Sequence, residues 1–467
     1  MNRLLKLTLL YLFPSVLIAQ TPTPGPGAPI VSIPSVQALI ALAKENNPDY
    51  RVAQHRTLAE YARIGPAGAL PDPQISFGIH KSPLQHVAIT GGHDTYDISK
   101  LSGLSGTLPG MTEYSMSVGQ GLPWPGKLAA REDVARQSLE RSEIGKYETA
   151  LALESEVMAS CLELLVIQTR MELLEAQLNY WKTTEGIINA RLDQGGSSTG
   201  DAIQAMQEQS RLRLRLLELD NQMQDQKEML NQLTVSQPDS PIELGTSILN
   251  IALPEPPGEV ELLNDLKARN PEWLGSMIDI KIADTSVHSA KMDRYPDFWT
   301  GAGISKAGSM PIAWRAEFGV TLPIWIGRKQ SKVVARAQAE RNTAEYVQAG
   351  LALTLATKSR ERARAWKLAD TTIRLYKTEL IPQGEAALEI LIARFQNGGA
   401  SFSSMIETLN ALLKDRENSL DAVAQIHRIA ILQHSASLDA VSRTSTPNSP
   451  KIPISDSGTM QMSAHVN

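Results

Sequence analysis

The sequence contains the same series of landmarks twice, in the same order and at a similar offset. The series is an Asn-Pro pair, a Pro-Asp pair, a turn that runs from Leu-Pro to Gly-Lys or Gly-Arg-Lys, and a Gly-Gly pair. The landmarks begin at Asn47, Leu70, Leu122 and Gly195, and again at Asn270, Tyr295, Leu322 and Gly398. Each landmark is weak alone, but the shared order predicts a duplicated fold built from two similar units.

The landmarks and the composition around them divide the chain. An apolar run after Asn2, Arg3 and Lys6 is too short to cross a bilayer as a helix and is typical of a secretory signal peptide. The predicted boundaries are the signal peptide at 1–19, a Pro-rich segment at 20–34, the first repeat at 35–235, a linker at 236–257, the second repeat at 258–436 and a disordered tail at 437–467.

Within each repeat the hydrophobic period changes from helical spacing to two. The alternation predicts strands at about 74–81 and 112–121, and again at about 297–305 and 312–321. One face of each strand is apolar, and Trp314, Phe318 and Val320 mark that face in the fourth strand. We expect this face to contact a membrane; the alternative is a hairpin that lies on a soluble core.

After each Leu-Pro turn the helical period returns and persists. No proline occurs between Pro125 and Pro238, and a helix from 127 to 193 would be roughly 100 Å long. The pattern predicts packed helical hairpins at 127–235 and 328–436. The two turns are therefore strand-to-helix corners: proline ends the strand, glycine permits the turn and Lys opens the helix. Trp124 and Trp325 would suit the boundary between bilayer and water.

Four strands cannot close a membrane barrel, because every backbone group that faces lipid needs a partner and single-chain barrels have at least eight strands. The chain must therefore pool its strands with copies of itself. Two copies would give eight strands and three would give twelve, and periodicity does not choose between them.

Composition argues against several other functions. The net charge of −5 gives no reason to expect nucleic acid, and the single cysteine, Cys161, excludes an internal disulfide. There is no phosphate-binding glycine loop, paired metal motif or nucleophile elbow, so we expect neither an enzyme nor a cofactor. His80, His86 and His93 cluster in the loop that joins the first two strands and are weak candidates for metal binding; the alternative is that they are ordinary polar residues of an exposed loop.

The duplicated order of Asn-Pro, Pro-Asp, two strands, Leu-Pro corner, long helix and Gly-Gly tip resembles the outer membrane efflux protein (TolC-type) family over residues 35–436. The resemblance implies a mainly helical homotrimer, with a twelve-strand β-barrel in the outer membrane lipid continued by an α-helical barrel in the periplasm. It also implies a periplasmic adaptor protein and an inner-membrane efflux pump as partners. The residues of the Leu-Pro-Asp-Pro and Pro-Trp-Pro-Gly-Lys motifs are similar to those found in the branch of the family that exports heavy-metal cations. A type I secretion duct and a non-transport coiled-coil surface scaffold are the alternatives.

The resemblance also implies two kinds of functional residue. The helical tips that dock the adaptor would be formed by Gly195, Gly196, Ser197, Gly398, Gly399, Ala400 and Ser401. Relatives carry two acids three residues apart after the second tip, where the duct narrows; here Ser404 and Glu407 stand at these positions, with Asp201 after the first tip. Glu407 would then favour cations at the entrance, and a solvated helix residue is the alternative.

Overall fold

The structure is a computed structural model that describes the chain at residue 30 and at 33–81, 88–91, 94–97, 112–193 and 199–438, without the side chains of 88–91, 94–97 and 189–193. The predicted signal peptide, most of the predicted Pro-rich segment and tail, the tip residues Gly195, Gly196 and Ser197, and the loop residues His86 and His93 lie outside these residues.

The two halves repeat one order of elements. The first half contains α1 (Pro34–Asn46), α2 (Pro48–Gly68), β1 (Gln74–Lys81), β2 (Ala88–Gly91), β3 (Asp94–Asp97), β4 (Thr112–Leu122), α3 (Lys127–Asp193) and α4 (Thr199–Thr234). The second half contains α5 (Glu259–Arg269), α6 (Pro271–Met292), β5 (Asp297–Ala307), β6 (Ala313–Thr321), α7 (Gln330–Leu375), a π turn (Tyr376–Leu380), α8 (Ile381–Gln396) and α9 (Phe402–His434). The short strands β2 and β3 pair with each other and were not predicted from the sequence.

The duplication extends to helix length. The helix α3 has 67 residues. Its counterpart consists of α7, the π turn and α8, whose 46, 5 and 16 residues amount to the same length. Pro382, near the start of α8, cannot donate a backbone hydrogen bond, which accounts for an irregular turn at this point.

The long strands form one sheet, and the helices that adjoin them pack side by side in the same order. The four long strands are antiparallel in the order β1-β4-β5-β6. The helices that adjoin these strands along the chain contact each other in the matching order, α2 with α3, α3 with α6 and α6 with α7. The buried clusters lie among the helices, with Leu165 and Ile426 in one and Trp181 and Leu409 in another. None of the described helices is long and apolar enough to cross a membrane.

The Asn-Pro landmarks bind the start of each repeat to its returning helix, the second helix of the hairpin, which is α4 in the first repeat and α9 in the second. Asn47 and Asn270 accept hydrogen bonds from backbone N–H groups in the first turns of α2 and α6, as helix N-caps do. The Asn47 side-chain amide donates to the carbonyl of Leu233 (3.3 Å), in the last turn of α4. The Asn270 side-chain amide donates to the carbonyl of Ala436 (2.8 Å), just after the end of α9. Both returning helices are followed by a non-glycine residue with positive φ, Val235 and Ala436. The duplicated sequence therefore forms a duplicated set of contacts.

Candidate functional site

The four-stranded sheet presents an apolar face to solvent. In the strand register, the alternating apolar residues of all four strands lie on the same side of the sheet. Ten of its large side chains are 44–81% exposed; they are Ile75, Phe77, Ile79, Tyr114, Met116, Val118, Ile304, Trp314, Phe318 and Val320. Isolated exposed apolar residues are common in proteins, but a contiguous face of this kind marks a surface that contacts lipid or another protein.

The opposite face of the sheet is polar and rich in glycine. The Ser76 and Ser117 hydroxyls are hydrogen-bonded at 2.7 Å across β1 and β4. On β6, the Arg315 Nε lies 3.3 Å from the Glu317 Oε1. A sheet with one apolar and one polar exposed face has the pattern of a membrane barrel wall, in which lipid-facing and lumen-facing positions alternate.

Both edges of the sheet are open within the described residues. The strand β1 pairs with β4 along one side, and β6 pairs with β5 along one side. All eight residues of β1 are exposed. Unpaired strand edges in a bilayer would leave backbone groups without partners, so a sheet of this kind needs further strands to complete it.

The first corner is held by an ion pair between the repeats, in which the lysine is buried and the aspartate is partly exposed. The Lys127 ammonium is 5% exposed and lies 2.8 Å from the Asp297 Oδ1. It also donates to the Tyr295 carbonyl at 2.9 Å, while the Trp124 backbone N–H donates to the same Asp297 oxygen at 2.9 Å. The turn of the first repeat thus binds the Pro-Asp motif of the second, and Gly126 supplies the left-handed φ of +96° that the turn requires.

Removing the charge at Lys127 is expected to loosen this corner. Lys127→Met would leave the Asp297 carboxylate without its partner, and we expect a loss of about 2 kcal/mol per chain, less than for a fully buried pair because the Asp297 side chain is 42% exposed. The measurement is the temperature at which the detergent-purified protein unfolds. Lys329→Met, at the exposed second corner, is the matched control; equal shifts in the two variants would contradict a special role for the first corner.

The second corner differs from the first. The sequence predicted that both corners turn on a glycine, and this explanation is wrong for Gly327, whose φ is not in the left-handed region. The chain instead makes several hydrogen-bonded turns between Leu322 and Lys329. Trp325 is 62% exposed there. The two corners therefore share a sequence pattern but not a backbone conformation.

Aromatic rings line the corner end of the sheet. Trp124 stacks on Tyr295 (5.3 Å between ring centroids) and on Phe298 (5.6 Å), and Phe298 stacks on Phe318 (5.9 Å). The sequence indicated Trp124 as a residue at the membrane boundary and Phe318 as a lipid-facing strand residue, but it missed the other two rings. Tyr295 and Phe298 flank Asp297, so the repeated Pro-Asp motif carried the signal. Aromatic residues collect where a membrane meets water, because one part of the ring is apolar and another is polar.

The second tip ends its helix in a Schellman motif. The Gly399 N–H donates to the Arg394 carbonyl at 2.8 Å, and the Gly398 N–H donates to the Phe395 carbonyl at 3.1 Å. Gly398 has a φ of +78°, which explains a glycine at that position. Gly399 has no positive φ, and a Cβ there would meet only the Arg394 carbonyl at an ordinary 3.6 Å. The turn therefore accounts for the first glycine but not for the second.

The predicted entrance residues lie at the starts of two helices. The Ser401 Oγ accepts from the Ser404 N–H at 3.2 Å and so caps α9, and the two hydroxyls are 2.8 Å apart. Glu407 is exposed in the second turn of α9, and Asp201 is half-buried in the first turn of α4. Ser404 therefore has a structural contact, whereas Glu407 points away from the buried face of its helix.

No metal-binding group of three His, Cys, Asp or Glu residues occurs in the part of the chain that the structure describes. Of the three histidines only His80 is described, and it lies exposed on the polar face of the strand β1 and not in the loop where the sequence analysis placed it. Metal binding by this loop stays untested. Cys161 is fully buried in the helical core, where burial raises the pKa of its thiol to about 12.

Comparison with known proteins decides what kind of protein carries these features. Residues 39–235 match the model of the outer membrane efflux protein family. The matching model is thus that of the family which the duplicated motifs resemble, and the match extends over the first of the two repeats. The family consists of outer membrane transport ducts and not of enzymes, so the match agrees with the predicted outer-membrane location and with the expectation that the chain is not an enzyme.

Individual relatives agree with this assignment. The pyoverdine export outer membrane protein OpmQ of Pseudomonas putida is 22% identical over 401 residues, which cover 82% of this chain and 81% of OpmQ. The fold is that of the solved channel CusC (17% identity, TM-score 0.69, 86% of this chain and 92% of CusC) and of VceC from Vibrio cholerae (20% identity, TM-score 0.69, 88% and 99%). These structures show the fold alone and do not test the heavy-metal branch.

Proposed function

We propose that the protein is the outer-membrane exit duct of a tripartite efflux system, and that three copies close its sheet into a twelve-strand barrel. The observation that carries the proposal is a sheet with an exposed apolar face and two open edges. In a closed ring, β6 of one copy would pair with β1 of the next and satisfy both edges. The family forms channels, and a channel needs a closed wall.

The helices at the two edges support the same closure. The helix α2 leads into the edge strand β1, and α7 follows the edge strand β6, so both helices lie at the outer ends of the helical row. Each exposes apolar side chains that a monomer would leave in water, such as Tyr61 (67%) on α2 and Tyr346 (79%) and Leu353 (72%) on α7. Contact between copies would bury these side chains and continue the barrel as a ring of helices.

Mass measurement of the detergent-purified protein tests the assembly. We expect a stable particle of three chains that resists dissociation until it is heated. A stable monomer would contradict the duct, because four strands cannot close. A dimer would allow an eight-strand barrel but would overturn the trimeric duct.

The partners in this proposal are a periplasmic adaptor and an inner-membrane pump. The helical hairpins end in the tips, and the second tip carries a glycine that its own turn does not require, which leaves room for a partner backbone. Cargo is set by the pump in this arrangement. Heavy-metal cations and pyoverdine, the export substrate in the name of OpmQ, would leave through the same bore.

Glu407 is proposed to make the entrance cation-selective. Three copies of this exposed carboxylate in a narrow bore would concentrate negative potential. Glu407→Gln is therefore expected to lower the cation-to-anion permeability ratio, measured as the reversal potential in a salt gradient across a planar bilayer. Glu261→Gln, an exposed acid on α5, is the matched control. An unchanged ratio in intact Glu407→Gln trimers would place the constriction elsewhere.

A further inference from the structure

Trp299 is an exception to the pattern of the four-stranded sheet. Phe77, Tyr114, Trp314 and Phe318 lie on the apolar face. Within the described residues of this sheet, Trp299 is the one Phe, Tyr or Trp on the polar face, directly across from Gly121 and Gly319. Its side chain cannot serve as a lipid anchor there, because lipid contacts the other face.

Glycines make room for the indole ring. A Cβ at Gly319 would overlap Nε1, Cδ1 and Cε2 of Trp299, and a Cβ at Gly301 would lie 3.1 Å from its Cζ3. The five-membered ring is therefore seated over Gly319 and the six-membered ring near Gly301. The residue remains 39% exposed on the polar side. A ring held in this way has little freedom to move, and it keeps accessible aromatic surface.

The charged side chains around Trp299 on this face are paired, Asp297 with Lys127 at the corner and Arg315 with Glu317 on β6. Arg315 and Glu317 form their ion pair on β6, in line with Gly319, and their side chains are 51% and 46% exposed. Because the pair is neutral overall, it gives passing molecules little preference by the sign of their charge. The aromatic ring is the feature of this patch that can discriminate.

We infer that Trp299 contacts cargo at the junction of the two barrels and slows molecules that carry a planar aromatic group by stacking on them. The inference rests on the proposed function, since the polar face lines a bore only in a closed ring. Trp299 is the third residue of β5, two residues after Asp297 at the corner. Cargo that leaves the helical part would therefore pass it on entering the strands.

Single-channel recording with two neutral probes tests the inference. N-acetyl-tryptophanamide and N-acetyl-leucinamide differ in the ring but not in charge. In bilayers that contain the full-length protein, we expect the aromatic probe to block the current for about two- to tenfold longer than the aliphatic one. Trp299→Leu should abolish the difference. Trp314→Leu, which removes the same side chain from the apolar face, is the matched control and should preserve it.

The possible outcomes separate the two proposals. A wild-type protein that conducts no ions would overturn the duct and this inference with it. Conductance with equal block times, or a preference that survives in Trp299→Leu, would overturn the inference alone. Trp299→Phe covers the case in which the leucine variant does not assemble. It should shorten aromatic blocks and leave aliphatic ones unchanged, and an unchanged aromatic block time would again overturn the inference.

Discussion

Phe318→Arg is expected to prevent assembly in the outer membrane. Phe318 is 70% exposed on the apolar face, one residue from the middle of β6. An arginine on the lipid face near the bilayer midplane costs about 2–4 kcal/mol. A trimer would carry this cost three times, and it would also lose three stacked contacts with Phe298. We expect little or no heat-resistant trimer in isolated outer membranes, measured by unheated gel electrophoresis and immunoblotting.

Variants on the polar face of the same strand provide the control. Ala313→Arg inserts the same side chain on the other side of β6, where the register places Arg315. Arg315→Gln removes a charge from that face. Both are expected to assemble at wild-type levels, because the polar face would be in contact with water. Equal amounts of trimer for Phe318→Arg and Ala313→Arg would mean that the apolar face does not contact lipid.

The sequence predicted the four long strands and the long helices because each of them has one face that differs in polarity from the other. Phe318 and Trp314 alternate with Arg315 and Glu317, and that period exists only in a two-faced strand. The leucines at 212, 219 and 230, by contrast, recur at helical spacing and are buried. Such patterns are local and can be read without knowledge of the neighbouring segments.

Contacts between the repeats could not be predicted in the same way. Lys127 and Asp297 were each part of a noted motif, but 170 residues separate them and no local pattern pairs them. The same limit applies to Trp299, whose orientation follows from the register between β4 and β5. Gly126 and Gly327 stand in similar motifs, yet only Gly126 adopts a positive φ, because the residues around the second corner form other turns.

The tip offers a test in which turn geometry and docking can be separated. Gly398 has the positive φ of the Schellman motif, so even Gly398→Ala should destabilise the turn, by about 1 kcal/mol. Gly399 carries no such restriction, and a Cβ there has space beside the Arg394 carbonyl. A large side chain at Gly399 should therefore leave the helical hairpin folded while it occupies the space proposed for the adaptor.

Gly399→Trp is accordingly expected to abolish efflux without lowering the amount of trimer. Efflux is measured as resistance to compounds that inhibit a strain lacking the gene, and trimer as the heat-resistant band in outer membranes. Gly399→Ala is the matched control and should keep most of the resistance, because a methyl group adds little bulk. The two neighbouring glycines would then have different roles: Gly398 permits the turn, and Gly399 leaves space for the adaptor. Full resistance in Gly399→Trp cells with normal trimer would show that the tip is only a turn.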